Sequence, residues 1–148
     1  MNNEIIEKAT KLYKKVNTFI LTSIGEDGYP LTKAVVPGKH RDSLSEMYFC
    51  TNTSSKFVAA ITANPKGSVY FYSRKLIIWK GCFLKGDFEI IENMAIKQKF
   101  WNNLYKGAYE GKAYTCPDFC VIKFKPTVGR LYANFTIKDF EIKKTKGG

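Results

Sequence analysis

Apolar residues along this chain recur first at helical spacing and then at every second position. Ile5, Ala9, Leu12 and Val16 share one helical face, with Glu4, Glu7, Lys8 and Lys11 elsewhere, which predicts an amphipathic helix within residues 1–17. The period then changes. Residues 18–24 are β-branched and aromatic, 25–28 are dense in turn formers, and 29–36 are again strand-like, which reads as a β-hairpin. Pro30 falls near the start of its second strand, where a missing N–H is tolerated. Residues 37–42 form a loop, and a strand at 47–51 leads into a helix in which Phe57, Val58 and Ile61 recur and which ends at 64–67. Further strands follow at 68–73, 76–84 and 86–91. Gly81 and Gly86 predict bulges, which bend a sheet sharply enough to close it. Because a barrel strand buries every second side chain, Tyr70 and Tyr72 are expected in the core.

From Glu92 and Asn93 the helical period returns, with Ile96, Phe100 and Leu104 on one face and Lys97, Trp101 and Tyr105 on another. A helix aromatic on two sides must bury both. One side packs on its own barrel, and the side centred on Trp101 meets the core, a partner chain or a ligand. Residues 106–117 read as a loop, 119–125 as an alternating strand, 126–129 as a turn, 130–133 as a last short strand, and 138–148 as a charged tail. No internal repeat or linker divides the chain. The order of elements predicts one domain over residues 1–148 of mainly β (α+β) class, a small antiparallel barrel with flanking helices.

With 148 residues, 45% apolar and 15% aromatic, the chain can bury one sizeable core and is too rich in core-forming side chains to be disordered. Lys and Arg total 24 against 13 Asp and Glu, a net charge of +11, so the summed field attracts anions. Nucleic acid, an acidic membrane surface and a phosphorylated small molecule all fit that charge. The lysines are scattered from Lys8 to Lys146 instead of forming one basic block, which argues against nucleic acid. Cys50, Cys82, Cys116 and Cys120 form no CxxC pair and His40 is the single histidine, so a metal site lacks ligands. Nothing orients His40, which reads as a surface residue. The amino terminus mixes charges where a signal peptide would be apolar, and no apolar run reaches membrane-spanning length; a reduced, cytoplasmic protein with free thiols is expected. With no Gly-x-Ser-x-Gly and no suggestively spaced carboxylate pair, any catalysis would be carried by a cofactor.

The densest candidate chemistry lies where the strand at 47–51 turns into the following helix. Ser54 or Ser55 is a natural N-cap for the amides that the first helical turn leaves unpaired. Those amides equally suit a phosphate, with Thr51, Ser54, Ser55 and Lys56 as further donors.

This order of elements, together with three local stretches, resembles the flavin-binding split-barrel family of pyridoxamine phosphate oxidase-like proteins, in particular the small bacterial group related to general stress protein 26. In the first stretch, residues 28–36, Lys33 takes the place of a basic residue near the FMN phosphate, and the backbone of Ala34, Val35 and Val36 runs beside the flavin ring. The second, Phe49, Cys50 and Thr51 followed by Ser54, Ser55 and Lys56, matches an aromatic-x-Thr and Ser-x-Lys pattern that would hold the phosphate and ribityl chain. The third joins Phe100 and Trp101 to Pro117, Asp118 and Phe119 and on to Phe124–Pro126; there Trp101 would approach the flavin of the other subunit. The resemblance implies a split barrel, FMN as cofactor and a homodimer with flavin at the subunit interface. It implies an FMN-dependent oxidoreductase passing hydride or electrons through the flavin N5, or alternatively a non-catalytic flavin-binding stress or carrier protein. Related barrels also accept deazaflavin or haem. Residues 129–137 lack the longer basic and aromatic segment that closes over the vitamin phosphate in full pyridoxamine phosphate oxidases, so that reaction is not implied. Lys33 also stands where arginine is frequent, giving a point charge instead of a bidentate fork. Stacking of single-stranded nucleic acid on Tyr70 and Tyr72 is the reading from a third class.

Overall fold

The computed structural model describes residues 2–111 and 113–143. Its elements are α1 (Asn2–Lys15), β1 (Phe19–Ile24), β2 (Pro30–Val35), β3 (Met47–Asn52), α2 (Lys56–Ala63), β4 (Lys66–Lys75), β5 (Ile78–Ile91), α3 (Met94–Phe100), β6 (Phe119–Ala133) and β7 (Thr136–Glu141), with a 3-10 turn at Asn103–Gly107. The strands form one antiparallel sheet in the order β2-β1-β4-β5-β6-β3, with β7 paired to β6. Among the described residues no ladder joins β2 to β3, so the sheet does not close. The two ends of the path nevertheless meet, because the Lys33 ammonium on β2 donates to the Thr51 hydroxyl on β3 at 2.7 Å. This is the split of the barrel.

The core follows the predicted faces. Ala9, Leu12, Tyr13 and Val16 of the first helical segment are buried against Phe19, Phe49 and Phe71. The Arg41 guanidinium donates to the carbonyls of Tyr13 (2.9 Å) and Val16 (2.6 Å), satisfying acceptors at the helix end where a positive charge is favoured. Phe57, Val58, Ala60 and Ile61 seat α2. A second, smaller cluster gathers Phe100, Tyr109, Cys116, Phe119 and Val121 beneath α3 and the loop after it.

Several expectations are corrected. Residues 126–129 are not a turn but the middle of β6, a single 15-residue strand. The bend is taken up by a bulge: Lys85 pairs with Val128 and Gly86 with Pro126, leaving Thr127 without a β5 partner. Pro126, with no N–H for a ladder, falls where the ladder is interrupted. A side chain on Gly86 would run into the Lys125 carbonyl and the Pro126 backbone, so close strand approach there requires glycine. Gly81 makes no bulge; it keeps register with Tyr72 and Tyr132, and its missing side chain leaves room for the Tyr70 phenol. Residues 138–141, expected in a tail, belong to β7, which returns through Asn134 and Phe135 at φ 52° and 61°. Gly147 and Gly148 lie outside the described residues.

The predicted long helix also breaks. α3 ends at Phe100, Trp101 and Asn102 are extended, and the Asn102 side chain accepts from the Leu104 amide to start the 3-10 turn. Apolar spacing ran on through Leu104, but a side chain that caps competes with continued helix. Leu104 is 86% exposed as a result.

Tyr70 and Tyr72 are not in the core. Val69 and Phe71 point inward, and the tyrosines point outward, where Tyr72 stacks on Trp79 at 4.9 Å and 2°. Both phases of this strand are apolar or aromatic, so period-2 alternation could not say which faced in.

Candidate functional site

The site forms where the barrel is split. Among the described residues β2 and β3 each lack a strand partner on the facing side, and Lys33 crosses the opening to Thr51, itself only 5% exposed. The ammonium also stands 5.7 Å from the centre of the Phe57 ring in the first turn of α2. Burial lowers the Lys33 pKa from the usual lysine value, and nearby Cys120 opposes that shift. A partly desolvated cation is thus held beside a helix start.

At that start Ser55 is the N-cap, its hydroxyl accepting from the Val58 amide at 3.2 Å with the backbone extended. Among the described residues the amides of Lys56 and Phe57 find no acceptor, and the Ser54 side chain is exposed. Lysine, hydroxyls and free amides form a donor set suited to a phosphate monoester. The Lys56 side chain is exposed and lines a cavity of about 380 Å³ shared with Glu26, Asp27 and Leu31, on the side of the β1–β2 turn.

The remaining candidates are placed as follows. Ala34 on β2 is exposed, Val35 at its end is half-buried, and Val36 just beyond it is exposed. Phe49 is 1% exposed and its ring packs on Phe19 in the core. Cys50 is half-buried with its thiol toward the Phe100 carbonyl at 3.8 Å, and burial pushes its pKa up to about 11. Trp101 packs edge-on against Phe119 at 5.0 Å and near Tyr105 and Tyr109 of its own chain.

Two further contributors were not among the expected binding residues: Tyr109, which had no signal, and Asp118, noted only within the third family-like stretch. The Tyr109 hydroxyl donates to the Thr51 carbonyl at 3.1 Å from a loop without periodicity, and burial pushes its pKa up to about 12. Asp118 accepts from the Ser54 amide and from the Asn52 side chain, both at 2.8 Å. The bond from the Ser54 amide, with the Asn52 bond second, holds its carboxyl below the usual carboxylate range.

An antiparallel sheet left open between the edge strands β2 and β3, with the start of α2 at the opening, is the architecture of a small split barrel. The chain belongs to the pyridoxamine 5'-phosphate oxidase like family, whose sequence profile matches residues 4–146. No curated protein matches it at the level of sequence. Among solved structures it is similar to a Clostridium acetobutylicum protein related to general stress protein 26 of B. subtilis, of the pyridoxinephosphate oxidase family; the two are 26% identical over 96% of this chain and 97% of that one, with a TM-score of 0.80. It is also similar in fold to a pyridoxamine 5'-phosphate oxidase-related, FMN binding protein from Nostoc punctiforme (14% identity, 95% and 96% covered, TM-score 0.66). A heme binding protein from Mycobacterium smegmatis shares the fold as well (15% identity, 92% and 57% covered, TM-score 0.73). No described helix is long and apolar enough to cross a membrane.

Proposed function

We propose that this protein binds FMN at the barrel split and acts as a flavin-dependent oxidoreductase in a homodimer. The observation that carries the reading is the convergence of Lys33, Thr51 and the first turn of α2, where the Lys56 and Phe57 amides, without an acceptor among the described residues, can donate to an anion. Lys33 and the amides bind the phosphate, Ser54 and Thr51 supply hydroxyl donors, and the exposed backbone of Ala34 to Val36 borders the ring. Trp101 and its aromatic neighbours keep water from one end of the opening. Bound flavin would supply hydride or electron transfer. Burial pushes Cys50 and Tyr109 beside the site up to about 11 and about 12, so both stay protonated at neutral pH. The same observation supports a second reading, in which the protein holds flavin without turnover as a stress or carrier protein.

The outward face of the sheet supports the dimer. Tyr72, Trp79 and Phe83 are 45%, 39% and 40% exposed in the single chain and lie on neighbouring strands, a patch of the kind that a second copy covers. The four free cysteines, three of them buried, suit a reducing compartment, and we place the protein in the cytoplasm.

The test is a visible absorption spectrum of the purified protein, followed by FMN titration and size-exclusion chromatography in one buffer. Flavin bands, or saturable uptake of one FMN per chain in a dimer, are expected. A colourless protein that ignores FMN overturns the reading, and a Soret band would assign the split to haem instead. Flavin that stays oxidised with NADH and NADPH and passes nothing to acceptor dyes selects the carrier reading.

A further inference from the structure

The turn that precedes α2 is not shaped by its own residues alone. Pro117 and Asp118, distant in sequence, hold it: the Thr53 amide donates to the Asp118 carbonyl, the Thr53 hydroxyl to the Pro117 carbonyl, the Ser54 amide to Asp118 Oδ1 and the Asn52 side chain to Asp118 Oδ2, each at 2.8 Å. The segment doing the holding is itself fixed. Pro117 has a restricted backbone, the Phe119 amide closes a turn onto the Cys116 carbonyl at 3.0 Å, and the Phe119 ring is fully buried.

A carboxylate beside an anion site needs a reason, because its charge opposes a phosphate. Here both oxygens are engaged by donors of the turn, so the charge is spent on backbone shape. We propose that Asp118 is the positioning residue of the phosphate-binding turn: it holds residues 52–54 in the conformation that leaves the Lys56 and Phe57 amides open to a phosphate monoester. This rests on the reading of the split as an FMN site. Asp118 touches no cofactor in this scheme; it acts through Ser54 and Asn52.

The test compares FMN with riboflavin, which lacks the phosphate, on wild type, Asp118→Ala and Asp118→Asn. Asp118→Ala frees the Ser54 amide and the Asn52 side chain, and FMN affinity is expected to fall about tenfold, the scale of one charge-assisted hydrogen bond. Riboflavin affinity is expected to stay unchanged. Asp118→Asn keeps an acceptor for Ser54 but not for the Asn52 amide, and the expected loss is smaller, about threefold. Equal weakening of both flavins would show a merely structural role, and unchanged or tighter FMN binding would show that the carboxylate does not position the turn. Should Asp118→Ala fail to fold, the asparagine variant decides by the same comparison. Amide hydrogen exchange at Thr53 and Ser54, the amides that donate to Asp118, gives a readout without flavin: at Ser54, which trades a carboxylate acceptor for a weaker neutral one, it is expected to quicken in Asp118→Asn, and unchanged exchange overturns the proposal. A wild type that takes up no FMN would sink the FMN reading while exchange still reports on the clamp.

Discussion

Replacing Lys33 with methionine removes the ammonium while keeping an unbranched side chain that fills the same space. In the free protein Lys33 gives one hydrogen bond, to Thr51, and its charge is partly desolvated at the split. Unit charges about 4 Å apart attract by about 4 kcal/mol at an effective dielectric of about 20. Lys33 still meets solvent, so the figure is discounted to about 2 kcal/mol, within the range for hydrogen bonds to charged groups. That corresponds to a roughly 30-fold weaker FMN Kd. Lys56, being exposed, sets the contrast: Lys56→Ala removes a screened surface charge worth at most about 1 kcal/mol, or roughly fivefold. The assay is FMN titration followed by flavin fluorescence, at about 0.15 M and again at about 0.5 M salt, conditions that screen exposed charges far more than buried ones. The Lys56→Ala difference should vanish at high salt and most of the Lys33→Met difference should survive. Thermal unfolding of flavin-free Lys33→Met should shift by no more than about 1 kcal/mol, since the lost hydrogen bond to Thr51 is offset by relief of a desolvated charge. A Kd for Lys33→Met within about threefold of wild type, with Lys56→Ala equal or worse, would refute placement of the phosphate at the split.

Burial lowers the Lys33 pKa and a bound phosphate must raise it again, so FMN affinity should be lost as pH rises through the depressed Lys33 pKa; titrations across alkaline pH on wild type should show the decline and Lys33→Met should lack it. For the flavin-free protein the sign reverses, because between the folded and unfolded pKa values the unfolded chain binds the extra proton, and this one group makes stability rise with pH there. Gly86→Ala drives a methyl into the Lys125 and Pro126 backbone and should cost about 3 kcal/mol in urea denaturation, against about 0.5 kcal/mol or less for Gly107→Ala, where a Cβ meets nothing; equal costs would refute the bulge as the tight point. Tyr72→Glu puts a charge on the Tyr72–Trp79 stack and should convert the dimer to monomer in size-exclusion chromatography with an unchanged circular dichroism spectrum, whereas a persistent dimer would move the interface elsewhere.

Much of the architecture was legible because it is encoded locally. The spacing of Ile5, Ala9, Leu12 and Val16, the turn residues at 25–28, and Phe57, Val58 and Ile61 after a run of hydroxyls each need only a few neighbouring residues to specify an element. The donors from Thr51 to Lys56 were legible for the same reason, being nearly contiguous. Where local preference was balanced, tertiary structure decided. On β4 Val69 and Phe71 could not be told from Tyr70 and Tyr72 until the sheet's two faces existed, and Asn102 ended a helix whose apolar spacing ran on. Residues 126–129 looked like a turn, but pairing with β5 on one side and β7 on the other drew them into a strand and confined the irregularity to Thr127. The reach of Lys33 to Thr51, the Tyr109 hydroxyl on the Thr51 carbonyl and the hold of Asp118 on Ser54 join segments far apart in the chain. Such contacts carry no periodicity, because what creates them is closure of the fold, in which loop entropy is spent once and the buried polar groups must then find partners among whatever the packing has brought near.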